Sequence, residues 1–237
     1  IWTTSDELRR ADLGAMTLSG PLVEHVSDMS MNDDTAVLYA TNSDEQGVRT
    51  VGYVSSGATV AKTVKSYRDA ADKTLLYASM VYYGDRYHAI AVNDTIQLYQ
   101  GSVPGSADMA SISLKSIGSM SMIGGATYLG FSPGDHRFVY AAQGQTIATY
   151  DLELNAASTQ TLPGTLSRDI AWMDGFHILS TTGETGYFYD YDGTNGQQFA
   201  KKSLNLPAVM ADGDRYLYYF ANIDGKTVLD RIRLLRP

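Results

Sequence analysis

The stretch WMDGFHILSTTGETGYFYDYDGTNGQQF, residues Trp172–Phe199, decides the fold of this 237-residue chain. Two runs rich in Tyr, Ile and Thr, Phe176–Thr181 and Tyr187–Tyr191, are bounded by short polar turns that contain Asp and Gly. Tyr, Ile and Thr favour strands, whereas Gly with Asp or Asn favours tight turns, so the stretch is typical of consecutive hairpins. Helix is predicted for at most one or two turns, at Ser66–Lys73 and Ser106–Ser111. The sequence therefore predicts an all-β fold.

The same plan recurs along the chain. Five segments each combine a short strand, an Asp/Gly turn, a strand rich in Tyr and Ala, a second polar turn and a third strand. The first turns carry Asp34, Asp85, Asp135, Asp174 and Asp212, at steps of 51, 50, 39 and 38 residues. A period of about 40–50 residues is that of β-propeller blades. We therefore predict one β-propeller domain over residues 1–237, with about five to six blades of short antiparallel strands, either as a whole ring or as part of a larger one.

Particular positions in the blades and at the chain ends can also be predicted. Phe131 and Trp172 are expected to end the first strands of successive blades, because each precedes an Asp/Gly turn. Ile1–Thr4 and Glu7–Leu13 are expected to be strands of a further blade that latch onto the edge of Val228–Leu234. A first residue other than Met suggests a piece of a longer chain. A β-sandwich is the structural alternative, although it does not require the same strand order five times.

Composition excludes several classes of function. The chain has 18 basic and 26 acidic residues, a formal net charge of −8, which disfavours nucleic acid because phosphate binding needs clustered Lys and Arg. It has no Cys, which excludes disulfides and Cys-based metal centres. Its longest apolar runs are far shorter than the ~20 residues that span a bilayer. No membrane-spanning segment is therefore predicted within this chain.

One motif formally matches a catalytic pattern. GFSPG, Gly130–Gly134, has the spacing of the G-x-S-x-G nucleophile elbow. In that elbow the residue after the serine donates its backbone N–H to the oxyanion, and Pro133 has no N–H to donate. The residues that follow, HRFVYAA, favour a strand and not the helix that the elbow requires. A hairpin turn is therefore predicted at this position.

Metal-binding and acid–base residues form no specific pattern. The four histidines, His25, His88, His136 and His177, do not have metal-ligand spacing. His88, His136 and His177 are predicted to be strand-end residues with exposed rings. The carboxylate pairs Asp151/Glu153 and Asp190/Asp192 lie where turn capping and solubility explain them. DYDGTNG, Asp190–Gly196, lacks the oxygen spacing of a calcium loop and predicts an Asx-capped turn. No metal or cofactor is predicted.

The chain resembles a known family in three stretches. WMDGFHILSTTGETGYFYDYDGTNGQQF followed by MADGDRYLYYFANIDGKTVLDRIRLL, together with IWTTSDELRRADLGAMTLSGPLV and QLYQGSVPGSADMAS, is similar to the propeller-like C-terminal region of PEGA-domain-containing proteins of Saccharibacteria-type bacteria. The resemblance implies an upstream membrane anchor and PEGA domain outside this chain, and an extracytoplasmic location at the cell envelope. It implies no activity for any particular residue.

The expected function is recognition of a protein or a cell-surface glycan without catalysis. Alternate connections of a blade emerge at opposite faces, so the turns between second and third strands are expected to share one face. The acidic residues of these turns, which form the predicted acidic rim, are Asp44, Glu45, Asp94, Glu184 and Asp224. An acidic rim would steer a cationic partner toward that face.

A carboxylate-dependent glycan hydrolase or lyase on the propeller is the alternative function. Such an enzyme needs two carboxylates across one cleft. Tyr187, Tyr189 and Tyr191 would suit sugar stacking, but both faces of an interior blade pack against neighbours, so these residues are predicted to belong to the core.

Overall fold

The computed structural model describes residues 6–32, 36–68, 74–102, 113–162, 171–182, 185–201, 208–211 and 215–233. Within these ranges the chain forms 21 β-strands and no helix. It divides into two compact units, Ile1–Ser119 and Met120–Pro237. The all-β prediction is confirmed, and the prediction of a single domain over the whole chain stays a prediction.

The first unit contains a short hairpin and two four-stranded antiparallel sheets, in the orders β3-β4-β5-β6 and β7-β8-β9-β10. Its strands are β1 (Ala11–Asp12), β2 (Thr17–Leu18), β3 (Val26–Asn32), β4 (Ala36–Thr41), β5 (Val48–Ser55), β6 (Lys62–Arg68), β7 (Leu75–Tyr82), β8 (Asp85–Val92), β9 (Thr95–Gln100) and β10 (Lys115–Ser121), the last of which ends just beyond the boundary between the units. Within each sheet, strands that are consecutive in the chain are neighbours, which is the order of consecutive hairpins.

The second unit contains two further four-stranded antiparallel sheets and one of three strands, again in chain order. Its strands are β11 (Tyr128–Phe131), β12 (Phe138–Gln143), β13 (Thr146–Asp151), β14 (Ala156–Thr161), β15 (Ala171–Trp172), β16 (His177–Thr182), β17 (Thr185–Asp190), β18 (Gln197–Lys201), β19 (Val209–Ala211), β20 (Tyr216–Ile223) and β21 (Lys226–Arg233). Phe131 and Trp172 end the first strands of two successive sheets, as predicted.

The five predicted segments correspond to the five larger sheets. Three strands were predicted in each segment, which is one too few for four of these sheets. Four of the sheets carry a fourth, outer strand, as in β14 with the sequence AASTQT. The predicted strand Glu7–Leu13 is wrong, because Leu8 bridges Val23 and Ala11–Asp12 pairs with Thr17–Leu18. Residues 66–68 belong to strand β6 and not to a helix. Ile1–Thr4 and Ser106–Ser111 lie outside the described residues.

Neighbouring sheets within each unit stack face to face. In the first unit, Leu38 and Val51 of one sheet form a core cluster with Leu75 and Ile90 of the next. In the second unit, one cluster joins Tyr140 to Ile178, and a second cluster begins at the adjacent residue, Leu179. Successive residues of a strand point to opposite faces, so β16 is buried against a different sheet on each side. Because neighbouring sheets cover each other's faces, the hairpin turns at the strand ends are left at the surface.

His88 differs from its prediction of an exposed ring. It lies inside β8 and is 1% exposed, with Nδ1 2.9 Å from the Tyr77 hydroxyl and Nε2 3.0 Å from the Gly101 carbonyl oxygen. Burial lowers the pKa of His88 to about 4, against a smaller opposing effect of the Gly101 carbonyl. The imidazole is therefore a neutral bridge between strands and has a structural role.

We expect Ile178→Ala to destabilise the second unit by about 2–5 kcal/mol, because the side chain is fully buried between two sheets. Ile123→Ala is the matched control: Ile123 is 88% exposed, and its truncation should change stability by less than about 0.5 kcal/mol. Urea unfolding followed by Trp172 fluorescence in a Trp2→Phe background measures both. Equal effects of the two changes would contradict the stacked core.

Stability should rise with pH between about 4 and 6.5, because the unfolded chain binds the proton that folded His88 excludes. The gain is about 3 kcal/mol at 1.36 kcal/mol per pKa unit. Urea unfolding across this range should show the slope in the parent and lose it in His88→Gln. NMR titration of the His88 ring provides a second measurement, and a ring that protonates near pH 6.5 would contradict the burial.

Candidate functional site

The predicted acidic residues that the structure describes lie at the tips of turns between second and third strands. Asp44 and Glu45 lie between β4 and β5, Asp94 between β8 and β9, and Asp224 between β20 and β21, and all four are exposed. Glu184 lies outside the described residues. The placement of these residues in turns is confirmed, and their convergence on one face stays a prediction.

Local backbone chemistry explains why acidic residues occupy two of these turns. The Asp44 carboxylate accepts hydrogen bonds from the amides of Gln46 at 2.8 Å and Val48 at 2.9 Å, which caps the turn. Asp224 and Gly225 have φ of 51° and 77°, the left-handed pair of a tight hairpin turn. Glu45, the next residue, is exposed at the tip of the same turn.

Arg49, a cation near these turns in the sequence, is not part of an exposed surface. Its side chain is buried, and its Nε donates to the Thr41 carbonyl oxygen at 3.0 Å. In the turn between β4 and β5, the carboxylates of Asp44 and Glu45 are therefore exposed, whereas the Arg49 side chain is not.

The one carboxylate in the described core is held in a structural ion pair. Asp151 is 2% exposed and accepts two hydrogen bonds from Arg137, at 3.0 and 2.6 Å, and Arg137 also pairs with Glu153. Burial acts to raise the pKa of Asp151, but hydrogen bonds from Arg137 and from two backbone amides outweigh it and hold the pKa below its usual value. A general acid needs a raised pKa, so Asp151 does not suit that role.

The remaining motifs form turns and core. Ser132 of GFSPG is buried in a turn between two strands, and its hydroxyl accepts a hydrogen bond from the Phe138 amide at 3.2 Å. The loop at Asp190–Gly196 is a turn in which Asp192 caps Thr194 and Asn195 bonds Asp190. Both predictions of turns are confirmed.

Two further predictions concern the second unit: the core placement of the β17 tyrosines and the position of His177. Tyr189 is buried in the core cluster and Tyr187 packs against that cluster, as predicted. His177 begins β16, and its Nδ1 lies 2.8 Å from Asp174 and its Nε2 3.8 Å from Asp190. Among the residues that the structure describes, no group of three or more His, Asp and Glu side chains has the geometry to hold a metal ion.

A cleft of about 280 Å³ in the first unit was not predicted. Leu8, Leu22, Val37 and Val54 belong to its apolar lining. Its charged lining residues are Arg9 and Arg10, and Arg9 is paired with Glu7 at 2.6 Å. The described residues that line this cleft include no carboxylate, whereas the glycan-hydrolase alternative requires a pair. No sequence pattern predicted it, because its lining brings together residues near Leu8, Val37 and Val54 that are distant in the chain.

Helices that could cross a bilayer do not occur in the described part of the chain. This agrees with the strand-only architecture.

Comparison with known proteins establishes the fold alone. No family model matches the chain, and no curated protein does. Similar folds occur in the crystal structure of the mitotic checkpoint complex (12% identity, TM-score 0.59, covering 97% of this chain and 69% of that one) and in Hsv2 of Kluyvelomyces marxianus (12%, 0.55, 99% and 68%). Dihydro-heme d1 dehydrogenase NirN in complex with DHE is also similar (13%, 0.61, 98% and 53%). The chain is a β-propeller, and it spans 53–69% of the length of these neighbours.

We expect Arg137→Met to destabilise the second unit by about 3 kcal/mol, because it leaves the buried Asp151 charge without its cation. Adding Asp151→Asn should recover much of that loss, since no uncompensated charge remains. Arg9→Met, which breaks a partly exposed ion pair, should cost about 1 kcal/mol or less. Urea unfolding measures all three, and a double variant less stable than Arg137→Met would contradict the ion-pair role.

Proposed function

We propose that this β-propeller is a non-enzymatic scaffold that binds a protein partner. The observation that carries the proposal is the position of the described carboxylates: those of the predicted rim are exposed at turn tips, and the buried one, Asp151, is neutralised by Arg137. Exposed charges on a rigid frame suit recognition, whereas carboxylate-dependent glycan hydrolysis needs two carboxylates across one cleft.

The fold neighbours support a binding role without defining it. One similar chain comes from a structure of a complex, the mitotic checkpoint complex, which supports a protein partner. Another, NirN in complex with DHE, is a dehydrogenase and is compatible with the enzyme alternative. Fold alone does not determine function, so the proposal rests on the surface of this chain.

The finer proposal concerns the place and kind of partner. The resemblance to PEGA-domain-containing proteins supports an extracytoplasmic location at the cell envelope, where a protein or a surface glycan is accessible. An acidic rim favours a cationic protein over a neutral glycan, because long-range attraction requires charge on both partners.

Neutralising the rim should slow the association of a cationic probe. The variant combines Asp44→Asn, Glu45→Gln, Asp94→Asn, Glu184→Gln and Asp224→Asn. Stopped-flow binding of fluorescein-labelled decalysine at 10 mM salt should show an on-rate reduced about tenfold, with a smaller difference at 150 mM salt, where the Debye length is about 8 Å.

A charge-matched control separates the rim from net charge. Asp85, Asp135, Asp174, Asp192 and Glu153 lie at or beside turns that join other strand pairs, and converting each to its amide removes the same formal charge. Equal on-rates for the two variants would overturn the rim proposal. Release of reducing ends from purified cell-wall glycan, lost in the rim variant, would favour the hydrolase instead.

A further inference from the structure

The hairpin of β1 and β2 in the first unit carries exposed apolar side chains. Leu13 is 85% exposed, Met16 91% and Leu18 55%, and all three line one surface depression together with Asp12 and Thr17. Single exposed apolar residues are common on protein surfaces, but a contiguous apolar patch is typical of an interaction site. We refer to Leu13, Met16 and Leu18 as the hairpin patch.

The backbone gives no local reason for a methionine at position 16. Met16 has a φ of 53°, in the left-handed region, where Asn, Asp and Gly are favoured over bulky side chains. The turn is capped by Asp12, whose carboxylate accepts a hydrogen bond from the Ala15 amide at 2.9 Å. Met16 is therefore unfavourable both for its backbone conformation and for its exposure to water, which points to a contact made outside the chain.

The cleft of about 280 Å³ adjoins this hairpin and matches it in chemistry. Leu8 and Val54 are its buried apolar lining residues, whereas Met31 is 60% exposed. Arg10 also lines the cleft, with Nη1 3.4 Å from the Gly57 carbonyl oxygen. The hairpin patch and the cleft lining share no residue, so the patch does not fill the cleft of its own chain.

We propose that the chain associates with a second copy of itself, and that the hairpin patch of each copy enters the cleft of the other. Arg10 lines the cleft and the next residue, Ala11, begins the hairpin. Because the two features are contiguous in the chain, both insertions can form in one interface about a two-fold axis. The proposal goes beyond the proposed binding function and concerns a surface separate from the acidic rim.

Size and charge favour a second copy as the occupant. A cavity of about 150 Å³ holds one benzene molecule, so the cleft has room for aliphatic side chains such as those of Leu13 and Met16. Asp12 is exposed in the hairpin and Arg10 is exposed at the cleft, so the two features carry opposite charges. A small molecule in the cleft would leave the hairpin patch in water, whereas a second copy covers both apolar surfaces.

Sedimentation velocity of the whole chain over a range of concentrations tests the proposal. The parent should show a reversible monomer–dimer equilibrium at 150 mM salt, which screens the repulsion between two copies of net charge −8. Leu13→Ser with Met16→Asn should weaken dimerisation about tenfold or more, and Asn suits the φ of position 16, so the turn should persist. Ile123→Ser with Leu154→Ser removes two exposed apolar side chains of the second unit and should leave dimerisation unchanged.

A second variant alters the cleft and leaves the hairpin intact. Met31→Glu introduces a charge into the cleft and should weaken dimerisation to a similar extent. Met29→Glu is the matched control, because Met29 lies on the same strand and sheet face, is 42% exposed and does not line the cleft. A mixture of the hairpin variant and Met31→Glu should associate more tightly than either variant alone, since one hairpin and one cleft remain intact.

Several outcomes would overturn the proposal. A parent that stays monomeric would do so, as would equal weakening by Met29→Glu and Met31→Glu or a mixture that does not restore association. Binding of the monomeric parent to phosphatidylglycerol vesicles, lost in the hairpin variant but kept in Met31→Glu, would identify a membrane as the occupant instead. The hairpin and cleft variants leave every residue of the acidic rim unchanged, so the decalysine experiment distinguishes failure here from failure of the proposed function.

Discussion

Central strands of this chain are apolar on both faces, and each face must be covered by another sheet to keep that surface from water. Ile178 and Leu179 show the constraint most directly, because these adjacent residues enter two different core clusters. Burial of apolar surface contributes about 25 cal/mol per Å², and sheets of only four short strands have little else to stabilise them. Stacking of successive hairpin sheets satisfies the constraint and gives the propeller fold.

The same constraint limits where binding chemistry can occur. Faces between stacked sheets are occupied, so charges that can meet a partner lie on turns, outer strands and uncovered faces. Asp44 and Asp224 are on turns, whereas Asp151, within a stacked sheet, is held by Arg137. In the last sheet, Arg231 and Arg233 are exposed and lie opposite Tyr218 and Tyr216. The surface therefore combines acidic turns with one cationic sheet face.

Sequence patterns predicted the inner strands and their turns because these have strong local signals. Tyr-, Ile- and Val-rich runs alternate with Asp/Gly turns, and the Asp spacing reveals the blade period. The outer strand AASTQT could not be predicted, because an exposed strand needs no apolar alternation and its pairing with β13 supplies its order. Four residues of the predicted rim, Asp44, Glu45, Asp94 and Asp224, were recognisable as turn residues for the same local reason.

Features that depend on neighbours in space were missed. The burial of His88 follows from its contacts with Tyr77 and Gly101, which a sequence pattern does not contain. Likewise, the aromatic and cationic face of the last sheet arises from the register that sets Tyr218 opposite Arg231. Both are properties of strand pairing and not of composition.

Native-state hydrogen exchange tests the stacked-sheet account most directly. Amides of the central strands β8, β12 and β13 should exchange slowest, through global opening, whereas those of the outer strands β6 and β14 should exchange through local fraying at much lower free energy. Protection that is as high in the outer strands as in the central ones, or low in β12 and β13, would contradict it.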